Sequence, residues 1–233
     1  MSAAAGGPVQ EPATTAGAAS DLLDLLQLGD SSFPSGSYAH SFGLEWLRSA
    51  DGFDLEAALR VRLSQSLARL ELPLARAAHA ATSVPQLWRL DQLADVLMPV
   101  REPRQASRSI GRGFLRAAAR LWPGGLLEQA LAARIEHQPV VFGAVLRQWA
   151  LPLRDGLELY ALQSVRQQLS AAQRLGGLGQ SAVQALLHGL KPAMLSAVDQ
   201  SLAVALEEAG AFTPWMDLAG MQHERQTARL FLS

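Results

Sequence analysis

Apolar positions recur along the chain at helical spacing, and prolines and glycines punctuate the runs. The clearest run sets Leu55, Leu59, Leu63, Leu67 and Leu70 on one stripe behind Asp54. That rhythm is an amphipathic helix with its apolar face on a core, opened by an acidic N-cap. Pro73 predicts a kink in it or a fresh start. Upstream, Ser20 and Gly29 bracket a helix over 21–28. A short helix is predicted over 38–48, after the irregular stretch 30–37 and before a turn at Asp51-Gly52. Ser83 and Gln86 have capping-box spacing ahead of a helix to about Met98. Pro103 fits the first turn of a helix to Leu121, stopped by Trp122-Pro123-Gly124-Gly125. Helices follow over 126–136 and 140–150. A box at Asp155 and Glu158 opens another to Arg174, which Gly176-Gly177 breaks. Pro192 predicts separate helices over 180–190 and 193–209.

Residues 1–20 are mostly Ala, Gly, Pro, Thr and Ser, with Glu11 as their one charge. Such a segment buries too little apolar surface to offset ordering and is expected to be a disordered extension. No fixed-period repeat occurs. The expected fold is all-α: a single helical-bundle-like domain of about ten helices over 21–211, with a C-terminal tail over 212–233.

Composition supports that class. The chain of 233 residues has 41 Leu but 2 Ile, 12 Val and 5 Thr, so strand-forming residues are scarce. It holds no cysteine, which excludes disulfide scaffolds, zinc fingers, iron–sulfur clusters and thiol catalysis. Its formal net charge of −1 gives no global basic field, so no nucleic-acid partner is expected. The single lysine, Lys191, lies in Gly189-Leu190-Lys191-Pro192, so the chain has no phosphate-binding P-loop. A secretory leader and an apolar run long enough to span a membrane are both missing, so a cytoplasmic protein is expected.

The five histidines, His40, His79, His137, His188 and His223, include no pair at i,i+4. His223 and Glu224 are neighbours about 100° apart on a helix and poorly placed to share one metal. No protein-only metal site and no resident cofactor are expected within one chain. Ala39-His40-Ser41-Phe42-Gly43 falls one residue short of the hydrolase elbow, and the Ser-Phe-Pro-Ser-Gly before it is no strand. A helix N-terminus with small residues for close packing is the simpler reading.

An arginine stripe is the most unusual feature. Arg101, Arg104, Arg108, Arg112, Arg116 and Arg120 follow at steps of three and four, within roughly a 160° arc of one helix. Left unpaired, those neighbours repel by about 0.2–0.5 kcal/mol each. Carboxylates on adjacent helices or an acidic partner surface would offset the cost. Gly111 and Gly113 lie in the same helix at about 1 kcal/mol each relative to Ala, which points to close approach or a local kink.

Five blocks together resemble the UreF family of urease accessory proteins. The first runs from Leu25 to Glu45 and holds Phe33-Pro34-Ser35-Gly36-Ser37-Tyr38 followed by His40, Ser41, Gly43 and Glu45. The second is Arg101-Glu-Pro-Arg-Gln-Ala-Ser-Arg-Ser-Ile-Gly-Arg112, and the third His137-Gln-Pro-Val-Val-Phe-Gly143. The fourth is Arg174-Leu-Gly-Gly-Leu-Gly-Gln180, and the fifth runs from Asp217 to Ser233 with His223-Glu224 and Arg229-Leu230-Phe231. Ser35, Ser37, Pro103, Gly176-Gly177 and Leu232 depart from the family pattern.

The resemblance implies an all-helical homodimer without enzymatic activity. It implies a scaffold that bridges UreD (also called UreH) and the nickel-carrying GTPase UreG, for GTP-dependent nickel insertion into apo-urease. Carried over residue by residue, it assigns His223, Glu224, Arg229, Leu230 and Phe231 to a UreD contact. It assigns Pro34, Gly36, Tyr38, His40, Ser41, Gly43 and Glu45 to a partner-facing surface or to the path of nickel. Arg104, Arg108 and Arg112 become candidates for docking UreG or for holding the fold. The alternative is a GTPase activator that supplies a catalytic arginine, although arginines held in mid-helix are poorly placed to insert at phosphates.

Overall fold

The computed structural model describes residues 15–48, 52–223 and 230–231, with side chains from Asp21 and short of His223. The fold is all-α, as expected, and every element among the described residues is helical. The order is α1 (Thr15–Gly29), a 3-10 turn (Ser37–Ala39), α2 (Leu44–Leu47), α3 (Leu55–Arg62), a π-helical stretch (Leu63–Glu71) and α4 (Leu72–Ala80). Then come α5 (Val84–Leu97), α6 (Arg101–Leu121), α7 (Gly125–Ala132), α8 (Gln138–Gln148), α9 (Leu153–Arg174), α10 (Gln180–Ala203), a 3-10 turn (Leu206–Glu208) and α11 (Pro214–His223).

Helix α8 is the centre of the molecule. It is buried from Pro139 to Leu146 and packs between α4 and α6. A ladder of rings ties the surrounding elements to it. Phe33 meets Phe114 at 4.8 Å, Phe114 meets Phe142 at 5.5 Å, and Phe142 meets Tyr160 edge-on at 5.1 Å. Those four rings come from the α1–α2 segment, α6, α8 and α9.

Proline shapes the middle of the chain in two different ways. Leu59, Leu63, Leu67 and Leu70 are buried as the stripe predicts, and the Asp54 side chain caps Ala57 N at 3.1 Å. Pro73 sits in the first turn of α4, in line with the expected fresh start, directly behind the nine-residue π-helical stretch. Proline lacks the N–H that the carbonyl four residues back would receive. That carbonyl belongs to Arg69, and it accepts instead from Gly210 N at 3.0 Å; Gln65 O likewise accepts from Phe212 N at 3.0 Å. The segment leading to α11 is therefore seated on carbonyls of the π-helical stretch. Pro192 was expected to divide a helix, but α10 runs through it. Pro192 lies on the exposed side of the helix, while Leu190, Met194, Ala197 and Val198 pin the inner face.

Other boundaries move for local reasons. Helix α1 begins at Thr15, ahead of the expected Asp21, because the Ala-rich 15–20 segment extends it; Ser20 lies inside it rather than capping it. Residues 1–14 lie outside the described residues. The helix expected over 38–48 is a 3-10 turn and the four-residue α2, separated by left-handed backbone at Phe42 and Gly43. Ser83 caps nothing with its side chain; Gln86 Oε1 reaches past it to Thr82 N at 2.7 Å. Helix α9 starts at Leu153 behind Pro152, two residues before the predicted box.

Candidate functional site

The second and third blocks meet in one polar node at the junction of α5, α6 and the entrance to α8. Asp91 and Asp95 are one turn apart on α5, and Glu136 and His137 precede α8. The Asp91 carboxylate accepts from Glu136 N at 3.0 Å and His137 N at 2.8 Å, which fixes the direction in which α8 enters the core. Burial raises its pKa despite those two bonds. Arg108 Nε donates to Glu136 Oε2 at 2.9 Å and its Nη1 to Asp95 at 3.4 Å. Arg112 reaches the same Glu136 oxygen at 3.3 Å, and Arg104 lies 4.0 Å from Asp95. The hydrogen bond to Glu136 raises the Arg108 pKa.

His137 completes the node. Its Nδ1 lies 3.3 Å from Ser107 Oγ and its Nε2 3.2 Å from Asp95, while Ser107 Oγ accepts from Gln138 N at 3.1 Å. Burial lowers its pKa and favours the neutral ring. A neutral ring protonated on Nε2 donates to Asp95 and accepts from Ser107, and every partner is then satisfied. Gly111 explains the close approach: a Cβ there would overlap the Glu136 carbonyl oxygen and stand 2.8 Å from Gln138 N. Gly113 likewise lies against Ser35 of the first block. Close approach, rather than a kink, accounts for both glycines.

The stripe is thus neutralised along its first half only. Among the described residues, no carboxylate pairs with Arg116, whose Nε donates to Arg112 O at 3.3 Å, or with Arg120. Sequence reasoning foresaw carboxylates opposite the stripe but missed which ones: Asp91, Asp95 and Glu136. The i,i+4 pair of aspartates on α5, and a glutamate immediately before the third block, were the available signals.

The first block divides by exposure. Pro34, Gly36 and Tyr38 face solvent, Tyr38 at 73% exposure. His40, Ser41 and Gly43 are buried, and Glu45 is half-buried. Three α9 side chains hold this segment by its carbonyls: Gln163 on Leu28 O at 2.6 Å, Arg166 on Gly29 O at 3.0 Å, and Gln167 on Ser37 O at 2.7 Å. Burial pushes His40 down to about 4. Ser41 is fully buried with no strand before it, so it is no hydrolase elbow. Gly43, at φ 79°, lies against α11, where a Cβ would come 2.8 Å from Ala219 Cβ.

The fifth block packs on the first and fourth. Glu45 accepts from Leu230 N at 2.9 Å and from Phe231 N at 3.3 Å. Phe231 is buried against Leu44, Ala171 and Ala172, and the Arg174 guanidinium covers its ring at 4.3 Å. Leu230 remains 62% exposed. Trp215, Leu218 and Met221 continue that exposed apolar character along α11. The His223 side chain, Glu224 and Arg229 lie outside the described residues.

A second polar cluster escaped sequence reading altogether. Arg62 Nη1 donates to Glu71 at 3.0 Å, Ser66 Oγ donates to the same oxygen at 3.1 Å, and Tyr160 OH donates to the other at 3.4 Å. The Arg62 guanidinium lies 5.2 Å from the Phe42 ring centre. These residues join the π-stretch to α9 and the first block. Among the described residues, no group of three or more His, Asp or Glu is arranged to hold a metal ion, and no helix is long and apolar enough to cross a membrane.

Comparison with known proteins agrees with the motif blocks. A sequence profile of the UreF family matches residues 50–191. The urease accessory protein UreF of Xanthobacter autotrophicus is 34% identical over 221 residues, covering 91% of each chain. That of Rhodopseudomonas palustris is 32% identical over 232 residues, covering 96% of each chain. That of a Bradyrhizobium species is 32% identical over 220 residues, 91% of this chain and 92% of that one. With similarity spread over nearly the whole length and the motif blocks brought together in one fold, the chain belongs to the UreF family of urease accessory proteins.

Proposed function

We propose that this chain is a non-enzymatic, cytoplasmic scaffold of urease maturation that acts as a homodimer. It bridges UreD (UreH) and the GTPase UreG, so that GTP hydrolysis on UreG accompanies nickel insertion into apo-urease. One observation carries the reading: the closing block is fastened to the body through Phe231 while Leu230 next to it stays outside. Glu45 and Arg174 clamp Phe231, and the clamp holds Leu230 at the surface. An exposed leucine on a fixed backbone, together with the exposed apolar residues of α11, suits a pre-organised protein-docking surface. In this reading Leu230 and the α11 face meet UreD, with His223, Glu224 and Arg229 between them in the sequence. Pro34, Gly36 and Tyr38 extend the partner-facing surface, whereas His40, Ser41 and Gly43 support it from beneath. Arg104, Arg108 and Arg112 hold α5, α6 and α8 together. A catalytic arginine taken from these three would first have to leave its ion pairs, so the GTPase-activator alternative gains nothing from their geometry.

The test is UreD capture by Leu230→Asp and by Leu218→Asp, each set against the unaltered chain. Both variants are expected to lose affinity at least tenfold with an unchanged melting temperature. Undiminished capture by both would remove the assigned surface.

A further inference from the structure

The second half of the arginine stripe borders a groove that the first half does not share. Leu26 of α1, Phe33 and Pro34 of the following loop, and Ala117, Arg120 and Leu121 of α6 line a shallow concavity of about 620 Å³. Its apolar walls are open to solvent, Leu26 at 60% and Leu121 at 51% exposure, and Leu22 and Leu23 extend them along α1. Arg120 belongs to its lining and Arg116 lies one turn earlier on α6, neither paired with a carboxylate among the described residues. The groove's own carboxylate, Asp30, accepts from Ser32 N at 2.7 Å and is also bonded by the Ser32 hydroxyl.

We propose that this groove receives an acidic amphipathic helix of a partner protein. Apolar side chains of that helix at i, i+3 and i+4 would enter between Leu26 and Leu121, and its carboxylates would meet Arg116 and Arg120. Charge complementarity selects this occupant. The groove is a largely apolar trough bordered by two arginines, Arg120 in its lining and Arg116 one turn away, against one carboxylate, Asp30, and helix-in-groove recognition uses such a trough for the anchors and flanking charge for orientation. A twofold contact with a second copy would press together two faces that each carry the same positive excess. Residues 1–14 bring a single carboxylate, Glu11, and few large apolar groups. The proposal rests on the scaffold reading above, because it supposes a protein partner in that assembly.

The experiment places the photo-crosslinking residue p-benzoylphenylalanine at Leu121 of the full chain, mixed with purified UreD and UreG of the same organism. Binding is measured in parallel for the unaltered chain, for Arg116→Glu with Arg120→Glu, and for Arg116→Lys with Arg120→Lys. The expected cross-link falls on a partner segment with apolar residues at helical spacing and at least two carboxylates. The double reversal is expected to weaken that partner at least tenfold, and the lysine pair by less than threefold. Cross-links between two copies only would overturn the proposal. So would phosphatidylglycerol vesicles bound in place of protein, or affinity unchanged by the double reversal. If the unaltered chain binds neither UreD nor UreG, the scaffold reading itself fails. If it binds them and the double reversal binds equally, only the groove fails.

Discussion

The two halves of α6 carry the same arginine rhythm and use it differently. Around Arg108 and Arg112, Glu136 and Asp95 lie within ion-pair distance, His137 bridges Asp95 and Ser107, and Asp91 accepts from the main-chain amides of Glu136 and His137. Arg116 instead donates to the Arg112 carbonyl, and Arg120 lines a groove with Leu26, Leu121 and Asp30, a carboxylate bonded by Ser32. A charged stripe read as one feature in the sequence is therefore two: a charge-matched joint and a charged rim. The first block divides the same way, with Tyr38 outside and His40 and Ser41 inside. In both places the chain joins a half bonded into the fold to a more open half a few residues away. The bonded half costs stability when altered, and the open half should not.

Gly111→Ala should break the joint most severely. Its new methyl would overlap the Glu136 carbonyl, and because both sides are backbone, relief requires α6 and α8 to part. A loss of about 3 kcal/mol is expected in denaturant unfolding. A loss below about 1 kcal/mol would mean that the joint is loose. Acid should come next. His40 titrates near 4 when folded, below its ordinary 6.5, so the unfolded chain binds the proton first. Its contribution is complete above pH 6.5 and falls as the pH drops, by about 2 kcal/mol at pH 5. Unfolding at pH 7 and pH 5 measures it, and His40→Gln should remove that increment from the pH dependence.

Glu136→Ala sharpens the contrast within the stripe. It strips Arg108 and Arg112 of their shared partner, but both guanidinium groups are nearly half exposed and regain water. About 1–2 kcal/mol is the expected cost. Arg120→Ala is the smallest, within about 0.5 kcal/mol of the parent in thermal unfolding. A larger loss there would show that the second half is also a joint.

Much of this architecture was legible in the sequence because it rests on periodic leucines and on proline and glycine punctuation. The stripe from Leu59 to Leu70, the proline-opened α6 and the breaks at Gly124-Gly125 and Gly176 all follow from local rules. The failures occur where distant segments satisfy the backbone. The π-helical stretch before Pro73 was not foreseen: Gly210 and Phe212 supply amides to its carbonyls, and no local pattern announces residues so far along the chain. The turn at Phe42 and Gly43 is held by α11 on one side and Arg62 on the other. The node was half visible: its arginines and Ser107 stand in a motif, but Asp95 and Glu136 have no distinctive spacing to the arginines they pair with, nor Asp91 to the amides it holds. Tertiary packing alone selects them. Likewise, Leu230 and Phe231 read as one apolar pair, and only the fold separates the clamped ring from the exposed leucine.

Size-exclusion chromatography with light scattering, on the chain alone and with UreD and UreG of the same organism, tests the scaffold account most directly. The expected result is a dimer that joins UreD and then UreG in one species whose mass includes all three. A chain that elutes alone in the presence of both would contradict it.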